Sequence, residues 1–237
     1  FGKRVPLEYV HEGILNPNML KLQNMSGKSA NWFANFRVET VLARLHSVIM
    51  QERGFYQSET AIGRNAEFKL SDKNGIDYLT EMFLTGNYDC DTYSITALGI
   101  AERYGLPLRA VFAPEHMFLR WKSPHITTNF DMGKQIDDWN YSKGMNVPSG
   151  RAIPKESIDC GVYLEEVTKL ETAAHHLATI GKGLLQGGEY SAAFDVLRLA
   201  AKWGDTNPAV HYTYGTILWM MGYFDNAKTE FDLVYAL

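Results

Sequence analysis

Residues 86–133 read GNYDCDTYSITALGIAERYGLPLRAVFAPEHMFLRWKSPHITTNFDMG, and this stretch decides the fold. From Cys90 onward, apolar residues recur at helical spacing until Gly105 and Pro107, which predicts a helix that begins at the cysteine. Three short apolar segments follow, separated by turn residues, and are predicted to be strands: residues 108–113, 116–121 and 126–132. The pattern therefore predicts an α+β fold in which this helix packs on a small antiparallel sheet.

Three side chains of this stretch suit a thiol catalyst: Cys90, His116 and Asp131. Cys90 falls in the first turn of the predicted helix, where free amide groups and the helix dipole favour a thiolate and can hold an oxyanion. His116 opens the second predicted strand and Asp131 ends the third, so Asp131 can accept the imidazole N–H. A thiol needs a base and the base needs an acceptor, so these positions predict a catalytic triad.

Each of the three residues also has a purely structural interpretation. Cys90 could be a buried, inert thiol, since cysteine is often buried in protein cores. His116 could be an exposed turn histidine, and Asp131 could be a turn aspartate ahead of Gly133. These alternatives stay open at the level of the sequence.

From Leu177 onward the sequence repeats with a period of about 34 residues. The matching positions are small, aliphatic or aromatic: Gly181 with Gly215, Leu184 with Leu218, Gly188 with Gly222, Tyr190 with Phe224, Ala193 with Ala227, and Leu197 with Phe231. They look like tetratricopeptide helix-turn-helix repeats, whose apolar stripe packs between helices and whose groove can bind a protein partner. His175 and His176, just ahead of the repeats, are expected to be surface or packing residues.

Composition limits the classes of function. The chain has 23 Lys and Arg against 27 Asp and Glu, a formal net charge of −4 without long charge blocks, so nothing indicates nucleic acid or an anionic membrane as a partner. The longest apolar run, at residues 217–221, is far shorter than the roughly 20 residues of a membrane span, so we expect a soluble protein without membrane insertion. Cys90 and Cys160 fit neither a disulfide framework nor a metal knuckle, and no metal or organic cofactor is expected.

Two domains are predicted. Residues 1–160 would form the unit that carries the cysteine, histidine and aspartate, with an N-terminal helical layer indicated by the pattern at residues 30–53, and residues 161–237 would form the helical repeats. Residues 138–157 have little periodicity and are expected to be a surface loop or linker. The chain begins at Phe1 and shows no signal-peptide pattern, which suggests a processed product or an excised piece.

Several motifs in combination resemble the transglutaminase-like superfamily, which has a papain-like thiol fold, and its SirB-type bacterial branch in particular. They are Asn-Tyr-Asp-Cys at 87–90, Gly-Leu-Pro at 105–107, Pro-Glu-His at 114–116 and Asn-Phe-Asp-Met-Gly at 129–133. The resemblance covers most of residues 40–237, and it leaves the compartment open between the bacterial cytoplasm and export after processing. It implies that Cys90 is the nucleophile, His116 the base and Asp131 the orienting acid, and that three further residues support the substrate groove or the oxyanion: Asn87, Tyr88 and Trp121.

The implied activity is attack on a peptide or carboxamide carbonyl to form an acyl-enzyme. Water would release the acyl group in a protease or amidase, and an amine would capture it in a transglutaminase. Many members have Gly directly before the cysteine, whereas here Asp89 precedes Cys90. Asp89 would oppose thiolate formation if it points inward, or it could be the helix N-cap and face away from sulfur. The sequence therefore also permits a catalytically silent scaffold that binds a protein partner through its groove and its repeats.

Overall fold

The structure is a computed structural model that describes residues 30–47, 49, 56–57, 79, 82–83, 87–124, 126–145 and 150–237. The helices within this part are α1 Ala30–Ser47, α2 Cys90–Arg103, α3 Asp138–Ser142, α4 Lys155–Asp159, α5 Lys169–Gln186, α6 Tyr190–Trp203, α7 Pro208–Met220 and α8 Phe224–Ala236. The strands are β1 Tyr56–Gln57, β2 Asn87–Tyr88, β3 Leu108–Ala113, β4 His116–Ser123, β5 Ile126–Asp131, β6 Lys134–Ile136 and β7 Glu166–Val167. The described chain is thus α+β, as the sequence predicts.

Five strands form an antiparallel sheet in the order β6-β5-β4-β3-β7, and β1 pairs with β2 in a separate parallel ribbon. The turn between β3 and β4 holds Pro114 and Glu115, so that Ala113 pairs with His116. The turn between β5 and β6 places Met132 and Gly133 at positive φ, the conformation that a two-residue hairpin of this twist requires. The three predicted strands are confirmed, while β6 and β7 were not predicted.

Helix α2 begins at Cys90 and ends before Gly105, as predicted, and it packs on one face of the sheet together with α1. Alternation along β4 sends Leu119 and Trp121 to this face, where they join the core residues Leu42, Tyr93 and Ala97. The predicted N-terminal helical layer is present as α1, Ala30–Ser47, which contributes Leu42 and Leu45 to the core. Residues 48 and 50–53 of that prediction lie outside the described residues.

Helix α3 packs near the opposite face of the sheet and corrects one prediction. Tyr141 is fully buried and its ring stacks on Phe118 with the ring centroids 4.0 Å apart. The guanidinium of Arg120 is buried beside them, where it donates to Asn129 Oδ1 over 2.9 Å and pairs with the Asp138 carboxylate. Residues 138–157 are therefore not simply a surface loop, since α3 and the first residues of α4 lie within them. A helix of five residues is too short to show a recognisable apolar periodicity, and for this reason the segment was predicted to be a loop.

The C-terminal part consists of two helical hairpins, α5 with α6 and α7 with α8. The predicted sequence repeat corresponds to equivalent contacts in them. A Cβ added at Gly181 would lie 2.4 Å from the Leu197 side chain, and one added at Gly215 would lie 2.7 Å from the Phe231 ring. The paired turn residues Gly188 and Gly222 both have positive φ. Close helix crossing is thus the physical reason for the repeated glycines.

The sheet continues beyond residue 160, because β7 at residues 166–167 pairs with β3 immediately before α5 begins. Among the described residues, no helix has the length and apolar character that crossing a membrane requires.

Candidate active site

Cys90 is the first residue of α2, and its position is fixed by the residue before it. Asp89 is the N-cap: its Oδ1 accepts the Thr92 amide over 2.9 Å and the Thr92 hydroxyl over 2.8 Å, and its own amide donates to Thr92 Oγ1. Such a reciprocal capping box satisfies donors that a helix start otherwise leaves unpaired. Asp89 is therefore the N-cap, and its charge nevertheless acts against ionisation of the neighbouring thiol.

The first turns of α2 contact β4 at residues that lie beyond the end of the pairing between β4 and β5. The last pair of that ladder toward the site is Leu119 with Phe130. Beyond it, the Ser94 hydroxyl donates to the Met117 carbonyl over 3.5 Å, and the Met117 backbone lies close enough to the Cys90 sulfur to lower the pKa of the thiol. This contact places Cys90, which is partly exposed, beside the residue that directly follows His116.

His116 and Asp131 are brought into direct contact. His116 Nε2 lies 2.9 Å from Asp131 Oδ2, and the two side chains are only 7% and 10% exposed. Glu115, the residue before His116, is held at a φ of 56°, so a tight turn delivers the imidazole at the first residue of its strand. Because the carboxylate accepts the proton on Nε2, Nδ1 is the nitrogen with a free lone pair and can act as a base. The contact between these two residues is the one predicted from the sequence.

Tyr141 completes the surroundings of Asp131. Its hydroxyl donates to Asp131 Oδ2 over 3.0 Å, and its ring lies 6.0 Å from the His116 ring. Burial, followed by the charge of Asp131, raises the pKa of the Tyr141 hydroxyl far above its usual value, so it stays a donor. The other carboxylate oxygen, Oδ1 of Asp131, is buried and accepts no hydrogen bond from the described residues.

The surroundings of the Cys90 thiol favour its protonated form, in line with the alternative of a buried thiol and not with a thiolate stabilised by the helix start. Burial raises the pKa of the Cys90 thiol well above its ordinary value, and the carboxylates of Asp91, Asp89 and Asp131 raise it further. Only the nearby backbone of Met117 acts in the opposite direction and lowers the pKa of the thiol. The helix N-terminus by itself would favour a thiolate. The burial of the sulfur and the nearby negative charges have the larger effect and favour the protonated thiol. The resting thiol therefore keeps its proton.

Asp91 accepts a hydrogen bond from the thiol. The Cys90 thiol donates to Asp91 Oδ1 over 3.6 Å, and Asp91 Oδ2 lies 3.2 Å from His175 Nε2 on α5. Burial alone would raise the pKa of the Asp91 carboxyl, but His175 and, more weakly, His116 hold the pKa below its usual value. Asp91 is thus an ionised acceptor between the thiol and an imidazole of the C-terminal helices.

The sequence patterns did not predict a place at the site for Asp91, Tyr141 or His175. The position of Asp91 beside Cys90 was a usable signal, since residues in the first helical turn share the space around the helix end. Tyr141 lies in a segment without periodicity, and His175 reaches the site through a contact between residues 84 positions apart. No local pattern could have indicated either of them.

The residues assigned to groove or oxyanion support are placed differently from the triad. Tyr88 is 2% exposed and Trp121 is 4% exposed, and both pack in the core beneath α2. The Asn87 backbone lies in β2, and its side chain is outside the described residues. A contact of these residues with substrate stays a prediction.

The described residues contain no group of three or more His, Cys, Asp and Glu side chains that could hold a metal ion. The site therefore contains a protonated thiol at a helix start and the His116 imidazole, which a buried carboxylate orients. A second imidazole, that of His175, contacts the far oxygen of Asp91. Comparison with family models, with curated proteins and with solved structures finds nothing that matches this chain.

Proposed function

We propose that the protein is a transglutaminase-like thiol enzyme that attacks a peptide or carboxamide carbonyl through Cys90 and forms an acyl-enzyme. The observation that carries this proposal is the 2.9 Å hydrogen bond between His116 and Asp131, next to a cysteine at the start of a helix. Nothing in ordinary packing requires a buried imidazole and carboxylate at this edge of the sheet, whereas a thiol catalyst requires both.

The reaction would begin with transfer of the Cys90 proton to His116 Nδ1 as the sulfur attacks the carbonyl carbon. The carbonyl oxygen becomes an oxyanion, for which the amides of Cys90 and Asp91 are suitable donors, because neither makes a hydrogen bond with the described residues. The imidazolium then returns its proton to the leaving amine as the C–N bond breaks. Water or a second amine would release the acyl group, with His116 again taking and returning the proton.

Binding of substrate is the step that would activate the thiol. A raised thiol pKa means that little thiolate exists at neutral pH, so proton transfer must accompany attack rather than precede it. Asp131 and Tyr141 support this step, because the Asp131 carboxylate accepts the imidazole N–H and the Tyr141 hydroxyl, which fixes the orientation of the imidazole.

For the fold, we propose a papain-like transglutaminase core, followed by a pair of tetratricopeptide-like repeats. Support comes from the cysteine-led helix on an antiparallel sheet and from the equivalent glycine contacts of the two hairpins. For the partners, we propose a peptide or protein substrate at Cys90 and a protein partner on the helical hairpins. We propose no nucleic acid partner, since the charge of the chain does not indicate one.

One observation favours a second function. Three carboxylates act against the ionisation of Cys90, as expected if thiol reactivity has been lost. In that case the protein would be a catalytically silent scaffold that binds a protein partner through the groove and the helical hairpins.

Incubation with a blocked glutamine peptide, with and without a fluorescent primary amine, separates the two functions. The assay uses a Cys160→Ser variant, because Cys160 is an exposed thiol unrelated to the site. We expect this variant to release ammonia from the peptide or to incorporate the amine into it. Additional replacement Cys90→Ala or His116→Ala should abolish the product. Product formation that survives both replacements would overturn the assigned site, and absence of product with a panel of blocked peptides would favour the scaffold.

A further inference from the structure

The Asp91 carboxylate connects the C-terminal helices to the thiol. One oxygen accepts the Cys90 S–H over 3.6 Å, and the other lies 3.2 Å from His175 Nε2. The carboxylate is 14% exposed and the imidazole 25% exposed, so solvent screens the pair less than it screens an ion pair on the surface. The orientation of Asp91 toward the sulfur therefore depends on a residue from a different part of the fold.

The structure holds His175 firmly against the sheet. Strand β7 pairs with β3 through Ala110 and Val167, and α5 begins directly after β7. The imidazole packs on Phe112, two residues along β3 from Ala110, with the ring centroids 4.6 Å apart. A capping box formed by Thr168 and Glu171 fixes the start of α5. The imidazole can thus reach Asp91 only while α5 lies on β3.

We propose that His175 is a positioning residue for Cys90: by binding the Asp91 carboxylate that accepts the thiol proton, it makes the reactivity of the thiol depend on the docking of α5 against the sheet. The inference rests on the proposed function in one respect, that Cys90 is the nucleophile. It assigns to the C-terminal helices a role within the active site, in addition to binding a partner.

The sign of the effect follows from the charges at the site. With His175 bound, part of the Asp91 charge is satisfied by a hydrogen-bond donor, and less of it acts on the sulfur. Loss of His175 leaves the full carboxylate beside the thiol and disfavours the thiolate. The other titratable groups that act on Cys90 or Asp91 are Asp89 on the helix N-cap, His116 on β4, Asp131 on β5 and Tyr141 on α3.

The test measures the rate of Cys90 alkylation by iodoacetamide across pH in the Cys160→Ser background. We expect His175→Ala to slow alkylation at neutral pH about three- to tenfold, an upward shift of about half to one pKa unit. His176→Ala, on the same helix, is the matched control and should leave the profile unchanged. His175→Gln keeps a hydrogen-bond donor but lacks the imidazole, so its alkylation rate should fall between those of His175→Ala and His176→Ala, and it decides the question if the alanine variant does not fold.

A double replacement separates positioning from a general loss of structure. Once Asp91→Asn has removed the carboxylate, His175→Ala should have no further effect on the alkylation profile. An equal effect of His175→Ala with and without Asp91 would overturn the inference, as would a profile identical to that of His176→Ala. If the peptide assay gives no product but His175→Ala shifts the profile, the proposed function fails alone; product together with an unmoved profile refutes only the inference.

Discussion

Replacing Asp91 by Asn removes the negative charge that lies closest to the thiol. Asp91 Oδ1 lies 3.6 Å from Cys90 Sγ and accepts its proton, so the carboxylate stabilises the protonated form by charge and by hydrogen bonding. The amide of Asn removes the charge, keeps the shape and can donate to a thiolate. The loss of the charge and the gain of a donor both lower the pKa of the Cys90 thiol.

The size of the effect follows from the distance. Two unit charges about 4 Å apart interact by about 1 kcal/mol in water and by about 4 kcal/mol at the effective dielectric constant typical of pairs near a protein surface. Since one pKa unit corresponds to about 1.4 kcal/mol, Asp91→Asn should lower the pKa of the thiol by about one to three units. The rate of alkylation at neutral pH should rise by at least about tenfold.

Alkylation by iodoacetamide, followed by intact-mass measurement in the Cys160→Ser background, gives the rate at each pH. Asp89→Asn is the matched control, because Asn is an equally good N-cap and the sulfur makes its hydrogen bond with Asp91 instead. It should shift the profile in the same direction but by less. An unchanged profile in Asp91→Asn, or a shift to higher pH, would refute the electrostatic reasoning.

Three further outcomes test the packing and the charges. Tyr141→Phe keeps the ring but removes the donor to Asp131, so urea denaturation should show a loss of about 1 kcal/mol. Gly215→Ala places a Cβ 2.7 Å from the ring of the facing helix and should destabilise by about 1–3 kcal/mol. The matched variant Gly99→Ala meets nothing within 4 Å on its helix and should stabilise by about 0.5–1 kcal/mol; equal effects of the two would contradict the packing. Burial would raise the pKa of Asp91, but His175 and His116 hold this pKa below its usual value in the folded protein. The ionised Asp91 carboxylate therefore contributes its full stabilisation above the ordinary pKa range of Asp, and this stabilisation is lost as the pH falls through the lower pKa of the folded state. Between about pH 5 and about pH 3, Asp91→Asn should therefore lose less stability than the wild type in urea denaturation; an equal or greater loss would contradict this sign.

The parts of the fold that the sequence predicts are those with local signals. Gly105 and Pro107 mark the end of α2, and Pro114 marks the turn before β4. Alternation along the strands then fixes which side chains share a face, so the contact between His116 and Asp131 follows from two strand boundaries. The repeated glycines indicate the helical hairpins for a similar reason, since each allows one close helix crossing.

The remaining features of the site depend on contacts between distant segments. Tyr141 reaches Asp131 from a helix too short to show periodicity, and His175 reaches Asp91 only because β7 adds to the sheet edge. The sequence left the charge state of the thiol open, because it shows the helix start and the acidic neighbours but neither the burial of Cys90 nor the orientation of Asp91. A position at a helix N-terminus does not by itself make a cysteine reactive.

Attack by Cys90 on a carbonyl requires His116 as the base that takes the thiol proton. Incubating the Cys160→Ser protein with an activated p-nitrophenyl ester and measuring its intact mass tests this directly. We predict one acyl group per chain, on Cys90, that His116→Ala abolishes and His176→Ala leaves in place. Acylation of Cys90 at an unchanged rate in His116→Ala, or no acylation of the parent protein, would contradict it.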